Sequence, residues 1–324
     1  MWSIRPATSS KRLENEPHFL HLFSSYPNGW PHTISTKLTG SDPNTMNENE
    51  AHCLALLREA DRDRYLSVLY APEDRRGGLA ALYAFNAEIA RIRDLVHEPL
   101  PGEVRLQWWR DLINGEARGS AEANPVAAAL IETIEKYELP RSAFDNYCEA
   151  RIFDLYDDPM PSRNDLEGYC GETASAIIQL AGFILDRDAA QAQTELAGHA
   201  GVAQAVTGLL RLMPIHRRRG QLYVPADMLQ AVGVTRETFL VGEDKAAVER
   251  VISIMLAFAR EHLAIFEKNR THLPKSLAPA FLPLALVPAY LIAIERLGSE
   301  AGERTADISA IRKQWLMLRM GVRV

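Results

Sequence analysis

The sequence predicts an all-α fold, on three observations. From residue 46 onward apolar side chains recur at helical spacing almost without interruption. The breaks in that pattern are short and carry Pro or Gly. No β-rich alternating run reaches useful strand length.

Taken in order, Met46-Asn47-Glu48-Asn49-Glu50 is a good helix start, and Leu54, Leu57 and Ala60 follow at helical spacing. Leu79, Leu82, Tyr83, Phe85, Asn86, Ile89 and Ile92 then form a wide apolar face at i, i+3, i+4 and i+7. Further helices are predicted over residues 104–113, 127–137, 142–156, 165–185, 189–212, 245–268 and 277–297. Pro72, Pro99, Pro101, Pro159, Pro161, Pro214 and Pro274 mark the breaks between them. Loops this short leave no linker, so residues 46–324 form a single helical domain. Residues 1–45 differ: they are rich in Ser, Thr, Pro and Asn and hold no sustained period, which predicts disorder. Met46 is therefore read as a start, leaving 1–45 untranslated. The alternative is a targeting segment, suggested by Arg5, Lys11, Arg12 and several serines.

A hydrophobic share of 47% and a charged share of 24% supply a sizeable core. Net charge is −6, with 36 basic against 42 acidic residues, so no basic excess points to nucleic acid. Cys53, Cys148 and Cys170 are too few and too scattered for a disulfide framework or a zinc site, which suits a reducing compartment. His18 and His21 form an H-x-x-H, a short motif inside the stretch expected to be disordered. The longest uncharged run, residues 277–294, approaches membrane-spanning length. It carries Pro279, Pro283 and Pro288, which favours a buried, kinked core helix over one in lipid.

Four segments occur in a telling order: Tyr83-Ala84-Phe85-Asn86 leading to Asp94; Gln107-Trp108-Trp109-Arg110; Asp165-Leu166-Glu167-Gly168-Tyr169-Cys170; and Leu210-Arg211 followed by Gly220-Gln221-Leu222-Tyr223-Val224-Pro225. Over roughly residues 55–300 this resembles the squalene/phytoene synthase family. The resemblance implies an isoprenoid-synthase-like helical bundle around a central cavity. In that family, two aspartate clusters on facing helices bind magnesium ions that hold a diphosphate leaving group. Here the first cluster reads Ala90-Arg91-Ile92-Arg93-Asp94, with only Asp94 retained. The second reads Leu212-Met213-Pro214-Ile215-His216, with every expected acid gone. Hydrocarbon side chains cannot ligate magnesium. Asp154, Asp157 and Asp158 form the best alternative ligand set, although Pro159 follows at once and a solvated helix end is the favoured reading.

The resemblance also implies an anion grip. Arg211, Arg217, Arg218, Arg219 and Tyr223 match positions that help to hold diphosphate, and guanidinium forks suit phosphate oxygens. A solvated basic turn fits Arg217, Arg218 and Arg219 equally well. Gln204, Thr207 and Tyr169 are candidate cavity-lining groups, or polar groups satisfied within the core. Trp108 and Trp109 read as core anchors. The C-terminal stretch from Ile311 to Met320 mixes cations with bulky apolar residues, as in a helix packed on the domain or lying on a membrane surface.

Within the family, residues 85–94, 105–111 and 210–216 resemble a catalytically degenerate branch that serves the assembly of respiratory complex I. That resemblance implies a non-catalytic protein without cofactor, holding a prenyl or other lipid in its cavity. Its surface would engage complex I (NADH:ubiquinone oxidoreductase) subunits or assembly factors. It would be cytoplasmic and peripheral at the inner membrane, or on the matrix side in a eukaryote. Two alternatives stay open: a magnesium-dependent head-to-head prenyl transferase, and a prenyl-diphosphate carrier or sensor.

Overall fold

The computed structural model describes residues 46–116 and 121–323, all within one compact unit, Asp42–Val324. The N-terminal expectations, including disorder over 1–45 and the His18–His21 pair, lie outside the described residues. No strand occurs among the described residues, and the all-α expectation holds.

Helix α1 (Glu48–Ala60) opens with a capping box. The Asn47 side chain accepts from the Glu50 amide, and the Glu50 carboxylate accepts from the Asn47 amide, each at 2.9 Å. Asp61 caps the short α2 (Arg62–Leu69). Helix α3 (Glu73–Ala90) begins after Pro72 and is buried continuously from Gly77 to Ala87, so it forms the centre of one half of the bundle. It continues into the single turn α4 (Ile92–Leu95). Phe85 anchors this region, with ring centroids 5.2 Å from Trp109, 5.6 Å from Phe144 and 5.4 Å from Tyr147. Trp109 is buried as expected of a core anchor, and Trp108 stacks edge-on against it at 5.0 Å.

Pro99 and Pro101 do not break a helix. They lie in the first turn of α5 (Pro99–Asn114), where the missing N–H is no loss, so the helix starts earlier than the predicted 104. Helices α6 (Pro125–Lys136) and α7 (Arg141–Ile152) follow, and a 3₁₀ turn, Phe153–Leu155, closes α7. The predicted helix 165–185 is α8 (Arg163–Cys170) and α9 (Ala176–Leu185), joined by a π-helical turn at Gly171–Ser175.

After α10 (Arg187–Gln191), the 25-residue α11 (Thr194–Arg218) runs through Pro214, which was expected to end it. Pro214 and Met213 are buried, and tertiary packing offsets the hydrogen bond that proline removes. Helices α12 (Ala226–Ala231) and α13 (Arg236–Val241) lead into α14 (Lys245–Asn269), which packs along α11. The apolar stretch Lys275–Gly302 has a mean hydropathy of 2.1 over its most apolar window, and 72% of that window is buried. It is not one helix. Pro279, Pro283 and Pro288 each start a new piece: α15 (Ala278–Phe281), the 3₁₀ turn Leu282–Leu286, and α16 (Val287–Leu297). It is the kinked core segment that its prolines predict. The last helix, α17 (Ala310–Arg323), packs on the Leu282–Leu286 turn and on α2. All three cysteines are buried and unpaired.

Candidate functional site: a cation-lined cavity

A cavity of about 580 Å³ opens between the α1–α2 junction, the C-terminal end of α3, the π-turn, the middle of α11, the 283–290 segment and α17. Its apolar wall includes Ala87, Ala90, Ala205, Leu209, Leu286 and Val287. Its ionic groups are six cations (Arg62, Arg64, Arg91, Arg151, Arg211 and Lys313) against three carboxylates (Asp61, Asp63 and Asp94), so the lining is net positive inside an acidic protein.

Most of these charges are already engaged. Arg64 pairs with its cap residue Asp61 at 2.6 Å. Arg211 lies 3.8 Å over the Tyr290 ring and reaches Asp307 at 3.7 Å. Lys313 reaches Asp63 at 3.7 Å and Asp307 at 3.2 Å. Burial lifts the Asp63 carboxyl above its ordinary range. Arg62 and Arg91 make no ion pair among the described residues.

The expected site residues separate into three groups. Asp94, Gln204, Tyr169 and Arg211 line the cavity together, as does Thr207, whose hydroxyl is satisfied by the Ala203 carbonyl at 2.7 Å. Arg219 stands at the rim and closes on Asp94 at 2.5 Å. Arg217 and Arg218 do not join them. Arg217 turns away and donates to the carbonyls of Gly302 (2.8 Å) and Leu240 (3.2 Å), bracing α11 against the 298–302 turn; Arg218 is exposed. Of the three arginines only Arg219 meets a lining residue, because successive residues at a helix end point about 100° apart.

Tyr223 lies deeper, and it reveals a group that sequence reasoning misplaced. Asp154, expected at a solvated helix end, is buried. Its Oδ1 accepts from the hydroxyls of Tyr169 and Tyr223, both at 2.8 Å, and its Oδ2 accepts from Arg151 at 2.9 Å. Gln221 donates to its backbone carbonyl at 2.8 Å. Burial, with the Asp154 charge added, raises both phenols well above their ordinary range, so they remain donors. Asp157 instead sits exposed, 3.6 Å from Arg93. The carboxylate thus accepts from three side-chain donors, and the backbone carbonyl of the same residue from a fourth.

The sequence matches the squalene/phytoene synthase family over residues 57–312. The chain belongs to the squalene/phytoene synthase family. It is 30% identical over 250 residues to the rat "NADH dehydrogenase (ubiquinone) complex I, assembly factor 6", covering 77% of this chain and 75% of the relative. The presqualene diphosphate synthase of Rhodopseudomonas palustris is 27% identical over 217 residues, covering 67% and 77%. Among solved structures, a dehydrosqualene synthase in complex with ligand superposes with a TM-score of 0.70 at 16% identity, covering 85% of this chain and 96% of the other, which supports the fold.

The resemblance implies aspartate clusters for magnesium within residues 90–94 and 212–216, and the side chains there do not fit that ion. Ala90, Arg91 and Leu212 line the cavity without offering a carboxylate, Ile215 and His216 lie outside its lining, and Asp94 pairs with Arg219. Burial holds the His216 imidazole down to about 4, so it adds no charge at neutral pH. Among the described residues no group of three or more His, Cys, Asp or Glu side chains is placed to hold a metal ion. Of the cavity cations, sequence reasoning missed Arg62, Arg64, Arg151 and Lys313. The alternating Asp61-Arg62-Asp63-Arg64 between two helices was the available signal for the first; Lys313 reaches the cavity only through the packing of α17.

Proposed function

We propose that this protein is a non-catalytic member of its family that acts in the assembly of respiratory complex I, retaining the cavity to hold an anionic lipid. One observation carries the reading: the positions that would need carboxylates hold Ala90, Arg91, Leu212, Ile215 and His216, while the cavity itself is kept. The rat relative's role in complex I supports the assembly half. A net positive lining beside an apolar wall supports the lipid half, since a phosphate headgroup and a hydrocarbon tail would each find their counterpart. Arg62 and Arg91, which make no ion pair among the described residues, are the groups to receive the phosphate.

The experiment has two arms. Deleting the gene should lower NADH oxidation by membranes, with restoration by the wild-type chain. The purified protein incubated with farnesyl diphosphate should release no inorganic diphosphate, with or without magnesium. Normal NADH oxidation in the deletion strain would refute the assembly role. Sustained magnesium-dependent release would establish the transferase instead.

A further inference from the structure

Helix α17 has two dissimilar faces. Lys313, Met317 and Met320 point inward: the methionines are buried, and the lysine reaches into the cavity. Ile311, Trp315 and Leu318 fall on the opposite side, at i, i+4 and i+7, and are 81%, 54% and 51% exposed. Among the described residues eleven large hydrophobic side chains are exposed, and three of them lie on this one helix. Two more, Leu69 and Tyr70, end the helix it packs against; a Cβ on Gly321 would come within 3.4 Å of the Tyr70 ring.

The charge pattern identifies what covers this face. Residues 310–323 carry Arg312, Lys313, Arg319 and Arg323 and no acid, although the whole chain is net −6. Arg312 and Arg319 are both exposed, and one heptad apart they share a single flank, roughly a quarter-turn from the apolar stripe. The Arg319 guanidinium lies 5.4 Å over the Trp315 ring. An apolar stripe led by Trp, beside cations and without acids, is the arrangement that lies in a bilayer interface, with rings at the acyl boundary and arginines among anionic headgroups.

We propose that α17 seats the protein on an anionic lipid surface. Because Lys313 and Tyr290 meet behind the same helix, 5.5 Å apart, the seat is also a wall of the cavity. Lipid would then enter from the membrane on which the protein sits. The inference rests on the membrane-surface part of the proposed function and is tested apart from it.

The test is flotation of the full chain with phosphatidylcholine vesicles, with and without phosphatidylglycerol. Binding is expected only with the anionic lipid and should weaken as salt screens the headgroups. Trp315→Glu and the double variant Arg312→Glu/Arg319→Glu should each weaken binding by at least about tenfold. Trp315→Phe should retain it, and Val241→Glu, on another exposed apolar residue, should leave it unchanged. Circular dichroism of each variant separates lost binding from lost folding. Equal binding by wild type and Trp315→Glu would overturn the proposal, as would indifference to phosphatidylglycerol. A solution dimer dissolved by Trp315→Glu would also overturn it, giving the face to a second copy. If Trp315→Glu loses the vesicles yet fully restores NADH oxidation, the membrane seat stands and its link to assembly fails.

Discussion

At the scale of single residues, the buried carboxylate of Asp154 organises the floor beneath the cavity. It joins a cation from α7, a tyrosine from α8 and a tyrosine beyond α11. Truncating it would strand the Arg151 charge and two phenol hydroxyls in a buried setting, so Asp154→Ala should destabilise the fold by ~3–5 kcal/mol, measured as a shift in urea midpoint at constant slope. The exposed Arg219–Asp94 pair is a contrast: Asp94→Ala should change stability by no more than ~1 kcal/mol. His216 supplies a pH test. Its folded value of about 4 lies below the ordinary 6.5, so between those values the unfolded chain takes up a proton that the folded chain refuses. Stability should therefore fall as pH drops through that window. Burial lowers His262 in the same direction, so the His216 share is the difference between the wild-type and His216→Phe curves. Asp154 was misplaced on sequence because its tyrosine partners lie 15 and 69 residues away, while its neighbours on the C-terminal side, Asp157, Asp158 and Pro159, all speak for solvent.

At the scale of elements, the sequence revealed where helices exist better than where they bend. The wide apolar face of α3 and the long α14 were legible because their periods are strong and local. The π-turn at Gly171–Ser175 was not, since an inserted residue leaves composition unchanged, and the passage of α11 through Pro214 depends on packing that no local window contains. The same packing makes one glycine of α11 indispensable. A Cβ at Gly201 would land inside van der Waals contact of the backbone N and Cα of Ser175 in the π-turn, where no flexible side-chain end can give way. Gly201→Ala, which elsewhere in a helix would stabilise by about 1 kcal/mol, should here destabilise by ~1–3 kcal/mol through overpacking. Gly198→Ala is the internal control, because no neighbour stands within 4 Å of a Cβ there. A thermal melt of the two variants reads the sign directly.

At the scale of the whole molecule, two features stand together: the fold encloses a cavity, and cations outnumber carboxylates along its lining. The motif order over roughly residues 55–300 made the fold legible, and the want of aspartates in the two segments where the resemblance expects them was legible with it. Which cations join Arg91 in the cavity was not, because Arg62 and Lys313 come from helices far apart in sequence and converge only in the folded chain. If magnesium bridged ligand to protein, chelation would release the ligand. If guanidinium groups bind the phosphate directly, chelation should change nothing, since arginine holds its charge and fork geometry unaided. Farnesyl diphosphate, titrated by calorimetry, should therefore bind with the same Kd in magnesium and in EDTA. Arg91→Ala should weaken binding by about tenfold, the ratio that ~1.4 kcal/mol from one charge-assisted contact supplies. Arg218→Ala, on an exposed side chain outside the cavity, should leave it unchanged. A Kd that rises only in EDTA would return a metal to the site, with Asp61, Asp63 and Asp94 as the carboxylates left to hold it. Binding indifferent to Arg91 but lost with Arg62→Ala would instead place the headgroup at the α1–α2 junction, on the opposite wall of the same cavity.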